Sequence, residues 1–291
     1  MDKLTIVGAG RVGKTLGRLW KRSAAFEISG VYDTCERAAR EAVEFIGCGE
    51  VFTSVDEVCV SDAIMISVPD DQIRKVSEEL FRIQLPKGRF VFHLSGYHTS
   101  EVFESLISLN CHVASVHPVK TFANPVKAVQ GFSGTPCAGE GDESALSYLK
   151  RAFESIGGDF FQISRDKKRI YHSGTVFLSN YVVALLKAGT DLLKASEITD
   201  SHIEKMVKVL SVEALDNSIK RGLESALTGP VSRGDLQTVA GEVAELRKLD
   251  TLHCQLYKLL GSVALSIVEE SALLDEAKTA QIRAVLEEGD F

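Results

Sequence analysis

The sequence contains little cysteine, proline or tryptophan for its length. Among 291 residues there are 6 cysteines, 6 prolines and 1 tryptophan. The cysteines are scattered and no two form a CxxC pair, so we expect neither a disulfide framework nor a zinc site, and we assign no metal. Buried free thiols in a reducing compartment are the expected state of these cysteines.

Long apolar runs and long basic runs are also missing. Without about 18 consecutive apolar residues, no transmembrane helix is expected. The start Met1-Asp2-Lys3 leads directly into a strand-like run, so no signal peptide is expected either. A net charge of −7 without a basic run argues against nucleic-acid binding. We therefore expect a cytoplasmic protein whose partners include neither membranes nor nucleic acids.

The composition that is present is ordinary for a globular protein, with 45% hydrophobic and 25% charged residues, and the length suggests about two domains. In the first half, helical patterns alternate with short strand-like runs, at residues 4–7, 27–32, 63–68, 89–93, 112–116 and 159–163. This alternation predicts parallel strands joined by right-handed crossovers, hence an α/β fold with a doubly wound sheet.

The second half changes character near residue 165. Helical periodicity dominates there, over residues 166–195, 199–221, 235–246, 248–270 and 275–287. We therefore predict two domains, residues 1–164 and 165–291, the second of them all-α. Because the helical stretches 182–193 and 249–267 are too apolar for the surface of a monomer, we also predict a homodimer through this domain.

A glycine-rich turn directly follows the first predicted strand and opens a helix. Its residues are Gly8, Ala9, Gly10, Arg11, Val12 and Gly13. Gly8 suits a tight turn, Gly10 lets the backbone approach a pyrophosphate, and Gly13 lets the helix pack closely on the strand. The free N–H groups of the helix N-terminus would hold the phosphates. The spacing therefore predicts dinucleotide binding, and the alternative is a glycine turn kept only for packing.

Asp33 ends the second predicted strand, 20 residues past Gly13. A carboxylate at this place can accept hydrogen bonds from the adenosine ribose. It would repel a 2′-phosphate, which slightly favours NAD over NADP, although Arg11, Arg37 and Arg40 could offset that charge.

Val68 ends the apolar run at residues 63–68, and Pro69 follows it. Because ligands bind beyond the carboxyl ends of parallel strands, we expect both residues beside the cofactor. Asp70 follows them, and its alternative role is to cap the next helix.

Two histidine-bearing loops follow the next two predicted strands. His93 and Ser95 lie in the first loop, and His117 lies in the second. Histidine titrates near neutrality and suits the proton transfer that accompanies hydride transfer to or from a carbinol carbon. We predict His117 as a catalytic acid or base, Ser95 as a proton relay or substrate contact, and His93 as a substrate contact. A structural role in the loops is the alternative.

Polar side chains also gather on the first helix of the second half. His172, Thr175 and Ser179 share one helical face, and Asn180 lies about 80° further round. Such groups need either a ligand or an internal hydrogen-bond network. We predict His172 as catalytic and Asn180 as substrate-binding.

The loop at residues 227–235 breaks the helical pattern between two apolar helices. Arg233 could clamp a substrate carboxylate. Asp235 is expected to be the N-cap of the following helix, which is the structural reading of this loop.

As a set, these segments resemble the Rossmann-like proteins with a helical C-terminal domain of unknown function. That family lies in the superfamily of 6-phosphogluconate, 3-hydroxyacid and prephenate dehydrogenases and pyrroline-5-carboxylate reductase. The resemblance extends over nearly the whole chain and rests on residues 8–13, 67–70, 93–96, 117–118, 172–180 and 227–235. It implies a Rossmann domain that binds NAD or NADP, followed by an all-α domain like that of 6-phosphogluconate dehydrogenase.

The resemblance transfers residue roles unevenly. His117-Pro118 is similar to the His-Pro element of prephenate dehydrogenases, whose histidine takes part in catalysis. Hydroxyacid dehydrogenases place a catalytic lysine four residues before a helical asparagine. With Asn180 as that asparagine, the lysine position holds Val176. The proton would then come from His117, His172 or Lys120.

Two functions follow from these residues. The first is an NAD(P)-dependent oxidoreductase that transfers hydride to or from a small polar substrate of the hydroxy-acid or imino/amino-acid type. The second is a non-catalytic NAD(P)-binding sensor or interaction protein, which the valine at position 176 favours. The concentration of histidines at one predicted sheet edge favours the enzyme.

Overall fold

The computed structural model describes residues 1–271 and 273–288. It divides into two compact units, Met1–Leu178 and Ser179–Phe291. This division lies 14 residues beyond the predicted boundary at residue 164. The helix Lys168–Leu178 falls in the first unit, where the side chain of Lys168 is fully buried.

The first unit contains an eight-stranded sheet with the strand order β3-β2-β1-β4-β5-β6-β7-β8. The strands are β1 (Lys3–Val7), β2 (Glu27–Tyr32), β3 (Glu50–Phe52), β4 (Ala63–Ile66), β5 (Phe90–His93), β6 (His112–Pro118), β7 (Pro136–Gly141) and β8 (Asp159–Gln162). Strands β1 to β6 are parallel, β7 is antiparallel to β6, and β8 is parallel to β7. The predicted α/β class is confirmed, whereas β3, β7 and the antiparallel pair were not predicted.

Helices cover both faces of this sheet. They are α1 (Arg11–Ser23), α2 (Glu36–Ile46), α3 (Asp70–Arg82), α4 (Glu104–Ile107), α5 (Pro125–Gln130), α6 (Glu143–Glu154) and α7 (Lys168–Leu178), with short 3₁₀ turns at Val55–Val60, Ser100–Phe103 and Arg165–Lys167. One face buries Trp20 with Phe92 and Phe153. The other face buries a second apolar cluster that includes Ile64 and Leu80. Because both faces of the sheet are covered, ligand-accessible side chains are expected at the ends of the strands.

The second unit is helical, as predicted. Its helices are α8 (Asn180–Ala195), α9 (Asp200–Met206), α10 (Val212–Arg221), α11 (Leu223–Ala226), α12 (Pro230–Arg233), α13 (Leu236–Leu249), α14 (Thr251–Glu270) and α15 (Glu276–Glu287), with a π turn at Val207–Ser211. Asp235 caps α13 by accepting a hydrogen bond from the Thr238 backbone N–H at 3.2 Å, which confirms its predicted capping role. A small core around Val239, Leu265 and Ile282 packs α13, α14 and α15 together.

Two helical stretches, Arg165–Ala195 and Thr251–Glu270, are long and apolar enough to span a membrane by length and mean hydropathy alone. The sequence predicted no transmembrane helix, because the prediction required an uninterrupted apolar run. A single charged residue interrupts such a run, whereas mean hydropathy tolerates it. Core helices of soluble proteins satisfy the same length and hydropathy conditions. None of the α8 residues is buried, so this helix leaves apolar side chains uncovered.

Candidate functional site

The glycine loop lies at the carboxyl end of β1, and two of its glycines are required by the packing of the protein itself. Gly8 has a φ of +100°, and a Cβ there would lie 2.7 Å from the carbonyl carbon of Ser67. A Cβ on Gly13 would lie 2.5 Å from Ser67 Oγ and 2.6 Å from Gly8 O. Both glycines therefore allow the loop and α1 to approach β1 and β4 closely.

Gly10 differs from its two neighbours in the loop. It is exposed, its φ of −70° and ψ of −177° suit any residue, and a Cβ there would only meet Ser67 O at an ordinary 3.7 Å. Gly10 precedes α1, whose N-terminus has no side-chain cap and no acidic residue in its first turn. Packing therefore does not require the absence of a side chain at Gly10. That absence leaves the free N–H groups of the helix N-terminus accessible, which fits a dinucleotide pyrophosphate.

Asp33 is joined to the glycine loop by a hydrogen bond. Its Oδ2 accepts from the Ala9 backbone N–H at 2.8 Å, and its Oδ1 accepts from the Cys35 N–H at 2.8 Å. Each carboxylate oxygen retains a lone pair for a ribose hydroxyl. Asp33 thus shapes the loop in addition to its predicted role. The other predicted loop residues flank it, with Arg11 exposed at the start of α1 and Val12 packed on the core.

The predicted pair at the end of β4 also lies beside the glycine loop. The Val68 side chain lies 2.9 Å from the place of a Cβ on Gly8, and Pro69 precedes α3. Asp70, the first residue of α3, makes no capping hydrogen bond, so its alternative capping role is wrong. Its Oδ2 instead accepts a hydrogen bond from Ser95 Oγ at 2.9 Å.

Ser95 uses all of its hydrogen-bonding capacity within the protein. Besides donating to Asp70, its Oγ accepts from the backbone N–H groups of Tyr97 at 3.1 Å and His98 at 2.9 Å. One donor and two acceptors are the full inventory of a hydroxyl. Ser95 therefore shapes its loop here, and the predicted proton relay would require one of these bonds to break.

His93 is fully buried, which contradicts its predicted contact with substrate. Its Nδ1 accepts from the Ser95 backbone N–H at 3.2 Å, and its Nε2 lies 3.2 Å from Thr99 O, to which it donates. Burial lowers the pKa of His93 to about 3, so the ring is neutral near pH 7. The structural role that was the alternative for this loop is therefore the one observed.

His117 and His172 meet beside the same loop. Their ring centroids are 6.0 Å apart, and a Cβ on Gly96 would lie 2.5 Å from His172 Cδ2 and 3.0 Å from His117 Cε1. His117 Nδ1 lies 2.9 Å from the Tyr171 hydroxyl. Burial, and then the neighbouring His172 and Lys168, lower the pKa of His117 to about 4. The structure thus brings together both predicted catalytic histidines and adds Tyr171.

Beneath this pair lie two buried charges that were not predicted, Glu140 on β7 and Lys168 at the start of α7. Lys168 Nζ lies 3.3 Å from Glu140 Oε1 and also donates to Ser115 Oγ. Burial lowers the pKa of Lys168 to about 8, against the opposing effect of Glu140. The only sequence signal is that Tyr171 and His172 follow Lys168 by three and four residues, which places them near it on the helix.

The remaining predicted residues are Lys120, Asn180 and Arg233. Lys120, an alternative proton donor, uses Nζ to bond Gly131 O at 2.6 Å. Asn180 and Arg233 belong to the second unit, where Asn180 Oδ1 accepts from Ser179 Oγ and Arg233 is exposed. Their contacts with substrate stay predictions. Within residues 1–271 and 273–288, no cluster of three or more His, Cys, Asp or Glu side chains could hold a metal.

Four adjacent strands thus end in the residues of this site. In the order β1-β4-β5-β6, their carboxyl ends carry the glycine loop, Asp70, Ser95 and His117. Open α/β sheets bind ligands at this kind of edge. The first unit alone therefore carries the open glycine loop and the histidine pair at the carboxyl ends of adjacent strands.

Solved structures share this fold. Protein TM1727 from Thermotoga maritima is 26% identical, with 92% of this chain and 99% of that chain covered and a TM-score of 0.74. An imine reductase from Myxococcus stipitatus in complex with NADP+ is 16% identical, with 98% and 93% covered and a TM-score of 0.61. Prephenate dehydrogenase from A. aeolicus, in complex with hydroxyphenyl propionate and NAD+, is 18% identical, with 94% and 87% covered and a TM-score of 0.53.

Sequence comparison divides the chain into two domains. None of the curated proteins matches the chain in sequence. Residues 2–118 match the Rossmann-like domain, and residues 135–264 match a domain of unknown function, DUF2520, so that the second match begins before β7 rather than at the predicted boundary. The chain therefore carries a Rossmann-like domain followed by a DUF2520 domain, the combination that the resemblance of its motifs predicted.

Proposed function

We propose that this protein is an NAD(P)-dependent oxidoreductase that acts on a small polar substrate of the hydroxy-acid or imino/amino-acid type. The observation that carries the proposal is the contrast within the glycine loop. Packing accounts for Gly8 and Gly13 but not for Gly10, which stands open at an uncapped helix N-terminus. A dinucleotide pyrophosphate is the group for which that place is suited. The fold shared with nicotinamide-dependent enzymes supports the same class.

The proposed chemistry places His117 as the acid–base group. When bound, the nicotinamide supplies the hydride acceptor or donor. When Nδ1–H donates to the Tyr171 hydroxyl, Nε2 of His117 has the free lone pair of a base. A pKa of about 4 keeps the ring neutral at pH 7, so Nε2 is available to accept a proton from a substrate hydroxyl or amine, although the ring is a weaker base than an ordinary histidine. His172 lies beside it as the second candidate.

The cofactor side of the proposal favours NAD slightly. Asp33 presents its carboxylate at the end of β2, where a 2′-phosphate would meet a negative charge. Fluorescence titration with NADH and NADPH separately would measure this preference. Tighter binding of NADPH would contradict it while leaving the proposed enzyme class intact.

The proposal is tested by replacing Gly10 with alanine. Because a Cβ is tolerated there, we expect Gly10→Ala to unfold like the wild type, yet to bind NAD(P)H about tenfold or more weakly, equivalent to about 1.4 kcal/mol. Gly241→Ala is the matched control, since a Cβ there meets nothing within 4 Å. Unchanged affinity in Gly10→Ala, or no binding of either dinucleotide to the wild type, would refute the proposal.

Turnover separates the enzyme from the sensor. A screen of hydroxy acids, amino acids and cyclic imines with the bound dinucleotide should reveal a substrate, and His117→Ala should lower kcat by about 100-fold or more while leaving cofactor affinity intact. Val176 at the lysine position of the hydroxyacid dehydrogenases is the observation that favours a sensor. Binding of dinucleotide with no turnover of any substrate would support that second candidate.

We also propose that the second unit pairs with a second copy of the chain. Between residues 183 and 223, nine large apolar side chains are more than a third exposed, among them Val183, Leu210 and Ile219. A stable interface covers about 800 Å² on each partner, and these exposed apolar side chains would contribute to such an area. A membrane suits α8 less well, because the ion pair Lys187–Asp191 would have to enter hydrocarbon.

A further inference from the structure

Glu140 is a buried carboxylate that accepts four hydrogen bonds. Its exposed fraction is 2%. Oε1 accepts from the Ser100 backbone N–H at 2.8 Å and from Lys168 Nζ at 3.3 Å. Oε2 accepts from Ser100 Oγ at 2.8 Å and from Arg165 Nε at 3.3 Å. One side chain on β7 therefore holds the 3₁₀ turn after the Ser95 loop and the segment that leads into α7.

Lys168 extends the same network to β6. Its ammonium group is fully buried and donates to both Glu140 and Ser115 Oγ. Ser115 Oγ in turn lies 3.3 Å from Ser95 O, to which it donates. Ser115 lies two residues before His117 on the same strand, so the network reaches the strand that carries the proposed base.

These bonds connect the three segments that carry the histidine pair and its surroundings. They are the Ser95 loop, the end of β6 with His117, and the first turn of α7 with Tyr171 and His172. We propose that Glu140 and Lys168 form a buried anchor that positions these three segments relative to one another, which makes both of them positioning residues. The inference rests on the proposed function for the chemistry that is positioned, but not for the anchor itself.

An ion pair suits this task better than apolar contacts would. Replacing a buried pair by apolar residues of similar size often costs little stability, so the pair is a poor device for holding a fold together. Its hydrogen bonds are satisfied only in one arrangement of the surrounding segments, whereas apolar contacts tolerate sliding. The anchor therefore specifies geometry at the site more than it adds stability.

The charge of Lys168 also acts on His117. The titratable groups that face His117 are His172, Lys168, Asp70 and Tyr171. The positive charge of Lys168 opposes protonation of the imidazole, and the negative charge of Asp70 favours it. Removal of the lysine charge should therefore raise the pKa of His117. Greater exposure of the ring would raise it too, so the control is a variant that loosens the loop while keeping the lysine charge.

The experiment compares full-length Lys168→Met with Lys150→Met, whose lysine pairs with Glu154 on the exposed face of α6. NMR titration of the histidine rings should show the His117 pKa raised by about half a pH unit or more in Lys168→Met only. Hydrogen exchange of the amides of Tyr97 and His98 should accelerate about tenfold in the same variant. Ser100→Ala, which removes only the hydroxyl bond to Glu140, should accelerate that exchange without raising the His117 pKa.

The anchor is refuted if Lys168→Met matches Lys150→Met in both measurements. If Lys168→Met does not fold, Ser100→Ala decides alone, and unchanged exchange of the loop amides in it refutes the anchor. None of these measurements uses turnover, so failure of the proposed function is seen separately, as absence of dinucleotide binding by the wild type. Dinucleotide affinity should stay within about threefold in Lys168→Met, because the hydrogen-bond partners of Lys168, Ser115 and Glu140, lie outside the glycine loop.

Discussion

Single residues at this site act mainly by holding others in place. Ser95 and His93 illustrate this: each has a residue type that suits catalysis, yet the hydrogen bonds of each are spent inside the protein. The sequence shows which residue types follow the predicted strands, and this is enough to select such residues as candidates. It does not show whether a side chain faces a ligand or its own loop, because that depends on rotamers and burial.

His93 predicts a pH dependence of stability. Its pKa falls from 6.5 to about 3 on folding. Between these two pH values His93 is therefore protonated in the unfolded chain and neutral in the folded chain. Stability is therefore lost as the pH falls from about 6.5 to 3, in total by on the order of 4 kcal/mol from this residue. Urea unfolding of His93→Gln should show a shallower decline over this range.

The control for this prediction is His202→Gln, whose histidine is exposed in the second unit. It should keep the wild-type decline. If His93→Gln declines as steeply as His202→Gln, the buried neutral ring is not the source of the effect.

Individual elements were predictable where a local pattern encodes them. The apolar run of β4 and the glycine turn before α1 carry their own signals, and both elements were found. Strand β7 has the sequence Pro-Cys-Ala-Gly-Glu-Gly, with no alternation of apolar and polar residues and no β-branched residue. It is a strand because its backbone pairs with β6 on one side and β8 on the other. The pairing of Glu140 with Lys168 was equally hidden, because Lys168 lies within a charged run typical of an exposed surface.

The cap of α13 is an element whose strength can be measured. Asp235 accepts from the Thr238 N–H and from Thr238 Oγ1 at 2.7 Å. Asp235→Ala should therefore lower the free energy of unfolding of the second unit by about 1 kcal/mol. Asp216→Ala, which removes only an exposed pair with Lys220, should change it by no more than about 0.5 kcal/mol. Equal stabilities of the two variants would show that the cap contributes nothing.

The whole molecule is an acidic chain of two units, and the helices of the second unit expose large apolar side chains. The overall charge of −7 does not oppose an anionic dinucleotide, because the loop amides and the N-terminus of α1 act locally. The exposed apolar side chains of the second unit bear on the proposed second copy of the chain. Their exposure depends on the packing of several helices, so no single sequence motif predicts it.

The proposed second copy is tested by light scattering at micromolar concentration. We expect a dimer for the wild type and a monomer for Leu210→Glu combined with Ile219→Glu, because two charges would be buried in the interface. Val60→Glu, at a 56% exposed residue of the first unit, should remain dimeric. A monomeric wild type would contradict the proposal, and sedimentation of the wild type with phospholipid vesicles would indicate a membrane instead.

The bond between Asp33 and Ala9 has a consequence for cofactor engineering. In the proposed enzyme, the carboxylate that would meet the ribose also holds the backbone of the loop that would bind the pyrophosphate. Recognition of the two halves of the proposed dinucleotide would therefore be thermodynamically coupled through one side chain. A substitution of Asp33 intended to exchange NAD for NADP would weaken binding of both the ribose and the pyrophosphate. A successful exchange would have to rebuild the loop as well as the ribose contact.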